Sequence, residues 1–233
     1  MQSIVYNTDC MQGMKQYPDK YFDLAVVDPP YGIGVNHNMG RRSGDKCSDY
    51  KPAIWDNESP QIEYFTELFR VSKKQIIWGA NHFISKMPFD SSCWILWDKK
   101  FSSDVSFAQF ELAWTSFSGT CKKFDRFPNS SETRIHPTQK PVALYDWIYK
   151  NYLPNGGKVL DTHLGSGSNR IAAHKAGNIY FTGYELDKDY YDAEQKRFAA
   201  YLSQPALQFP NLKETEIKNN LPTLFDLVNE KAA

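Results

Sequence analysis

The segment from Lys158 to Glu185 limits what this chain can fold into more than any other. Lys158-Val159-Leu160-Asp161 reads as a short buried strand that runs into a turn, Thr162-His163-Leu164-Gly165-Ser166-Gly167-Ser168. A helix follows from about Asn169 to Ala176, with Gly177 as its cap, and then a second strand, Ile179-Tyr180-Phe181-Thr182-Gly183-Tyr184-Glu185. Strand, glycine turn, helix and strand in that order is the building unit of a parallel sheet covered by helices. The fold class is therefore α/β.

The rest of the chain supplies further strands and helices for such a sheet. Phe22-Asp23-Leu24-Ala25-Val26-Val27 is a short buried strand that runs into Asp28-Pro29-Pro30, where two prolines without N–H groups end the ladder and leave Asp28 at the strand's C-terminal end. Ile62, Phe65, Leu68 and Phe69 recur at helical spacing. Gln75 to Trp78, Cys93 to Trp97 and Glu111 to Trp114 are strand-like, and Leu144, Ile148 and Tyr152 line a helix with Pro141 at its first position and Asn155-Gly156-Gly157 as its stop. Two polar stretches interrupt this pattern. Residues 32–57 have no sustained apolar period and predict a mobile loop, and the short span 115–135 is basic. The organisation expected is one domain over 1–203 and a polar tail over 204–233.

Composition excludes several classes. With 233 residues and 41% apolar side chains there is enough core material for one domain, and no run approaches the roughly 18 apolar residues that a membrane helix needs. The first residues lack the layout of a secretory signal, and Cys10, Cys47, Cys93 and Cys121 are scattered without metal-ligand spacing, which predicts a cytoplasmic protein with reduced thiols and no structural metal. Lys and Arg number 27 and so do Asp and Glu, so the chain does not coat nucleic acid by bulk charge. Any specificity must come from a site.

Two constellations carry chemistry. At Gly165-Ser166-Gly167 the backbone can approach a ligand at a helix N-terminus, and Glu185, about 20 residues on at the end of the next strand, can accept hydrogen bonds from ribose hydroxyls. Arg170 stands where the third glycine of a dinucleotide fingerprint would be, which favours a nucleoside without phosphates over a pyrophosphate. A glycine turn that merely connects two elements is the plain alternative. Asp28-Pro29-Pro30-Tyr31 is sharper: the Asp28 carboxylate and the Pro29 carbonyl can each accept a hydrogen from an exocyclic amine, while Tyr31 offers a flat face to the ring that bears it.

With these residues in view, the chain from about Ile4 to Phe198 resembles the amino-group DNA methyltransferases, which modify adenine N6 or cytosine N4 and in one class place Asp-Pro-Pro-Tyr before the cofactor loop. The resemblance implies a Rossmann-like methyltransferase fold, with a mostly parallel twisted sheet and helices on both faces, and S-adenosylmethionine as cofactor. Asp28, Pro29, Pro30 and Tyr31 match the catalytic motif, and Asp28 would border the cofactor as well. His136-Pro137-Thr138-Gln139-Lys140-Pro141 is similar to the stretch that closes over the cofactor's methionine part, with His136, Thr138, Gln139 and Lys140 as its binding residues. Asp161, His163, Gly165, Ser166, Gly167 and Ser168 match the cofactor loop, Glu185 the ribose-binding acid, and Asp9 and Cys10 the element that reads the cofactor adenine. Trp97-Asp98-Lys99 is similar to a strand end beside the target-base pocket. Thr162 and His163 depart from the family's usual Pro and Phe, which alters the surface against which the cofactor packs.

The activity this implies is methyl transfer to the N6 of an adenine flipped out of double-stranded DNA, in a restriction-modification setting. Cytosine-N4 methylation and a non-catalytic nucleic-acid-binding subunit of the same fold are the alternatives. Arg41, Arg42, Lys122, Lys123, Arg126 and Arg134 are candidates for phosphate contacts. Residues 115–135 form a small recognition region, and a homodimer would enlarge its footprint on DNA. Leu221-Pro222-Thr223-Leu224-Phe225 resembles peptides that dock on bacterial sliding clamps, although the usual Gln is absent; a tail packed on its own domain is the alternative.

Overall fold

A computed structural model of the chain describes residues 3–34, 56–102, 108–128 and 134–204. Arg41, Arg42 and the segment Leu221 to Phe225 lie outside the described residues. By its internal contacts the chain divides at Tyr201/Leu202. No helix among the described residues is long and apolar enough to cross a membrane.

Eight strands form one sheet: β1 (Ser3–Asn7), β2 (Phe22–Val27), β3 (Ser72–Trp78), β4 (Trp94–Asp98), β5 (Phe110–Thr115), β6 (Lys122–Asp125), β7 (Gly157–Asp161) and β8 (Ile179–Glu185). Their order is β1-β8-β7-β2-β3-β5-β4-β6. β5 runs antiparallel to both its neighbours, β3 and β4, while every other pairing is parallel. The C-terminal ends of β1, β8, β7, β2, β3 and β4 therefore share one edge of the sheet, and β5 brings its N-terminal end, with Glu111, to that same edge. In such sheets ligands bind outside the carboxyl ends of the strands.

The helices are α1 (Cys10–Met14), α2 (Ile62–Val71), α3 (Val142–Tyr152), α4 (Ser168–Ala176) and α5 (Lys188–Leu202). Successive side chains of a strand point to opposite faces, so β2 feeds two cores. Leu24 and Val26 pack with Leu144 and Ile148 of α3 and Ala172 and Ala173 of α4. Ala25 and Val27 pack with Met14 of α1 and with Phe65, Leu68 and Val71 of α2. Helices thus cover both faces, as the resemblance implies. Burying these strands on both sides is what makes β2 read as a continuous apolar run rather than an alternating one.

Three details differ from the sequence expectation. Pro141 is the N-cap of α3, with extended backbone, and not its first helical residue. The basic stretch Lys122–Asp125 is a strand, β6, added parallel to β4. β1 and α1, which the sequence pattern did not mark, complete the far edge of the sheet, with Asp9 capping α1 by accepting the Met11 N–H at 2.6 Å.

Candidate active site

The turn after β2 is held from outside. Asp56, almost wholly buried, accepts the N–H groups of Tyr31 (2.7 Å) and Gly32 (3.2 Å) on Oδ1, so this carboxylate clamps the Asp-Pro-Pro-Tyr turn. The Tyr31 ring lies against Gly79 at the end of β3 and stacks on His82, with centroids 5.1 Å apart and planes 14° from parallel. Gly79 has φ +69°, and a Cβ there would stand 2.0 Å from the Tyr31 ring. Gly79→Ala should therefore displace Tyr31, lowering turnover by about tenfold or more through misplacement of the motif. Steady-state kinetics checks this, with a urea melt to separate it from the left-handed backbone strain, which costs about 1–2 kcal/mol.

Both oxygens of Asp28 are engaged. Tyr31 donates its hydroxyl to Oδ1 at 2.7 Å, and the Lys140 ammonium pairs with Oδ2 at 2.5 Å. Lys140, whose side chain is 2% exposed, also pairs with Glu111 Oε2 at 3.0 Å, and Glu111 Oε1 pairs with Lys99 at 2.6 Å. The four charges alternate in sign from Lys99 to Asp28. Burial pushes the Asp28 carboxyl above the usual carboxylate range, against the pull of Lys140. Burial acts on Glu111 in the same sense, but Lys140 and Lys99 together outweigh it and hold Glu111 down at about 2. Sequence reasoning placed Lys140 with the cofactor and did not mark Glu111; nothing in Glu111-Leu112-Ala113-Trp114 shows which way β5 runs, and that direction alone brings Glu111 here.

Beside Asp28 a cavity of about 600 Å³ opens along the strand ends. Its wall includes Asp28 and Pro30 from the first motif and, of the residues expected to hold a cofactor, Asp9, Cys10, His136, Thr138, Gln139, Lys140, His163, Gly165, Ser166, Ser168 and Glu185. Pro29, Tyr31, Asp161 and Gly167 are not part of the wall. Glu185 shapes the glycine turn: its Oε2 accepts the Gly165 N–H at 2.8 Å and its Oε1 the Asp187 N–H at 2.9 Å. His136 lies over Gly165, packs its ring on Tyr190 at 4.4 Å, and is kept neutral because burial lowers its pKa to about 3. The Cys10 thiol, pushed up to about 12 by burial, is not a thiolate.

Asp161 and Gly167 act from beneath. Asp161 accepts the His163 N–H at 3.1 Å and the Asn169 amide at 2.9 Å, Asn169 in turn accepts the Tyr149 hydroxyl, and burial raises Asp161 to about 7. Gly167, at φ +71°, is the N-cap of α4, and a Cβ there would meet Glu194 at 2.4 Å. Thr162 and His163 also have a local account. The Thr162 hydroxyl lies 2.6 Å from the Tyr64 hydroxyl and 2.9 Å from His163 Nδ1, so it bridges α2 to an imidazole whose pKa burial lowers to about 4. Tyr64, a cavity-wall residue, was readable only as part of the apolar face of α2.

The basic residues are partly committed. Lys123 pairs with Asp125 at 2.9 Å and Asp98 at 3.3 Å, and Lys100 with the same two carboxylates, so this cluster carries no net positive charge. Lys122 donates to Asn151 at 3.2 Å and lies over the Tyr152 ring, and Arg134 donates to the Pro137 carbonyl at 2.6 Å. Arg126 uses its backbone N–H to extend β6 onto Asp98. These contacts do not join the basic side chains into one positive surface.

Comparison with known proteins gives a consistent result. The DNA methylase family model N6_N4_Mtase matches residues 91–196. The "Putative methylase YubD" of Escherichia coli (strain K12) is 27% identical over 212 residues, covering 82% of this chain and 88% of its own length. The type II methyltransferase M.HinfI of Haemophilus influenzae is 25% identical over 251 residues, covering 84% of this chain and 68% of its own. Among solved structures, an M1.HpyAVI–SAM complex is similar with TM-score 0.56 and 18% identity, covering 85% of this chain and 99% of that one. The PvuII DNA methyltransferase, described as cytosine-N4-specific, has TM-score 0.59 and 12% identity, covering 94% of this chain and 91% of that one. At such identities the solved structures speak for the fold alone. With Asp28 and the glycine turn facing one cavity, the chain carries over residues 91–196 a match to the N6_N4_Mtase DNA methylase family.

Proposed function

We propose that this chain transfers a methyl group from S-adenosylmethionine to the exocyclic N6 of an adenine flipped out of double-stranded DNA. The observation that carries the reading is the position of Asp28: it ends β2 at the wall of the cavity that Glu185 and the Gly165 turn also line. A cavity of about 600 Å³ lies within the range of pockets that take a nucleoside-sized ligand. Its polar groups suit that cofactor, with Glu185 for ribose hydroxyls, Asp9 at the N-terminus of α1 for an adenine amine, and Thr138 and Gln139 near the methionine part. Bound there, S-adenosylmethionine supplies an electrophilic methyl on sulfur.

The chain's own residues orient the acceptor. An aryl amine nitrogen is a poor nucleophile because its lone pair is conjugated into the ring. Asp28 and the Pro29 carbonyl each accept one of its hydrogens, which favours the pyramidal form and stabilises the positive charge that develops on nitrogen as its bond to carbon forms and the carbon–sulfur bond breaks; the electron pair stays on sulfur, and the proton then leaves nitrogen for Asp28 or water. The base can reach this position only outside the helix stack. Neutral His136 and His163 add no positive charge beside a sulfonium, which suits a cationic ligand.

Cytosine N4 presents the same amine chemistry, and the similar fold of the cytosine-N4-specific PvuII enzyme keeps it as the second reading. Asp rather than Ser as the first motif residue favours adenine. Incubating the protein with S-adenosylmethionine and unmethylated DNA, then measuring nucleosides by mass spectrometry, tests this directly. N6-methyladenine is the expected product; N4-methylcytosine would keep the mechanism and change the base, and no methylated nucleoside in DNA from a cofactor-binding protein would overturn the activity.

A further inference from the structure

The Asp28 carboxylate, on which the methyl-transfer reading depends, already accepts a donor on each of its oxygens. Tyr31 and Lys140 take one oxygen each, at 2.7 and 2.5 Å. Each oxygen keeps a second lone-pair direction, but an amine that approaches Asp28 from the cavity competes with one of these donors. Tyr31 is pinned by its stack on His82 and by the clamp of Asp56 on its N–H, and its hydroxyl reaches Glu111 Oε2 only at 3.4 Å, so the partner with the closer alternative is Lys140. Its ammonium already touches Glu111 Oε2 at 3.0 Å, and a Lys ammonium has three donors and no fixed fork. Without a second anion at hand, a buried ammonium could not leave Asp28, because stranding it unpaired would cost several kcal/mol.

We propose that Lys140 is the positioning residue of this site: it keeps the Asp28 carboxylate charged and aimed before the target amine arrives, and it moves over to Glu111 when the amine takes its place. Glu111 is then the holding station, and Lys99, 2.6 Å from its other oxygen, keeps that station ionised. The inference rests on the methyl-transfer reading for its consequence in turnover, though not for its electrostatics.

The groups facing Asp28 give the sign of the effect. Tyr31 comes from its own turn, Lys140 from the segment before α3, Glu111 from β5, Tyr145 from α3, Tyr64 from α2 and Asp161 from β7. Lys140 is the cation that touches it, so removing that ammonium leaves burial and the Glu111 charge to raise Asp28 further. Asp28 must be ionised to accept the amine, so activity is lost as pH falls through its pKa. In Lys140→Met the acid limb of the kcat/KM profile should move up by about one to three pH units. Glu111→Gln removes a like charge from Asp28 and the station from Lys140. Its acid limb should move down, while kcat on the plateau falls about tenfold or more because the ammonium stays on Asp28. Lys140→Arg should restore most of the wild-type limb but not the plateau, since a guanidinium fork does not pass between the two carboxylates as an ammonium does.

The deciding experiment pairs these profiles with NMR titration of 13Cγ-labelled aspartate in the full chain, with Asp28 assigned by its absence from Asp28→Asn. The expected result is an Asp28 titration that moves up in Lys140→Met and down in Glu111→Gln, in step with the acid limbs. An Asp28 titration unchanged in both folded variants, or limbs that move together, would overturn the proposal. A wild-type protein that methylates no base would instead overturn the activity, whatever the NMR showed.

Discussion

Asp28→Ala should lose methyl transfer by about 10²–10³-fold or more while still binding S-adenosylmethionine. A preorganised group that meets charge developing at the reacting atom supplies roughly 3–4 kcal/mol. Asp28 can do so because β2, its two prolines and Asp56 hold the carboxylate at the sheet edge before any ligand arrives. The substitution should not unfold the chain, because the Lys140 ammonium it abandons keeps Glu111 at 3.0 Å. Single-turnover kinetics with radiolabelled cofactor measures the loss, and calorimetry of cofactor binding measures what remains. Full turnover in Asp28→Ala would remove the motif from the chemistry, whereas loss of cofactor binding alone would place Asp28 in the cofactor site instead. Asp28→Asn keeps one acceptor oxygen and the shape but not the charge, so it should fall between the two.

The largest effect on stability should come from Glu194→Ala, with a loss of about 3–5 kcal/mol. Glu194 is fully buried on α5 and faces Arg170 of α4, whose side chain is 8% exposed. The guanidinium reaches both carboxylate oxygens, at 3.1 and 3.0 Å, donates to Ser3 of β1 at 2.8 Å, and lies over the Phe198 ring. Truncating Glu194 leaves that cation buried with neutral partners. The double variant Arg170→Met/Glu194→Leu should cost much less than Glu194→Ala, because it leaves no unpaired charge. Urea denaturation of the three chains decides this; equal losses in the single and double variants would show that packing and not charge is at stake. The pair also explains Arg170 at the position of a third glycine: the side chain points away from the cavity and ties α4 to α5, just behind Gly167.

The fold class was legible because its signals are local. Apolar runs that stop at Asp28-Pro29 and at Asp161, and a glycine turn followed by a helix with Gly177 as its cap, report strands buried on both faces and the crossover between them. β1 and α1 escaped notice because each spans five residues, too short for a periodic pattern to stand out. β6 was read as a basic loop because its pairing with β4 lies in another part of the chain. Of the cavity wall, Asp28, Pro30, His136, Thr138, Gln139, Lys140, Gly165, Ser166, Ser168 and Glu185 are residues that sequence motifs single out. Such motifs do not single out Glu111, Lys99, Tyr64 and Asp56, since each joins the site through an element whose partner is distant in sequence.

Sequence by itself determined the kind of sheet, the two turns at its carboxyl edge and the carboxylate of Asp28 placed there, because these follow from backbone rules and residue types acting over a few positions. Only the tertiary structure decided what surrounds that carboxylate. The reversed direction of β5 sets Glu111 beside Lys140, and Lys140 beside Asp28, so the charge state of the central residue depends on groups 83 and 112 positions away. Coulomb forces and desolvation act through space and not along the chain, and no local pattern encodes them.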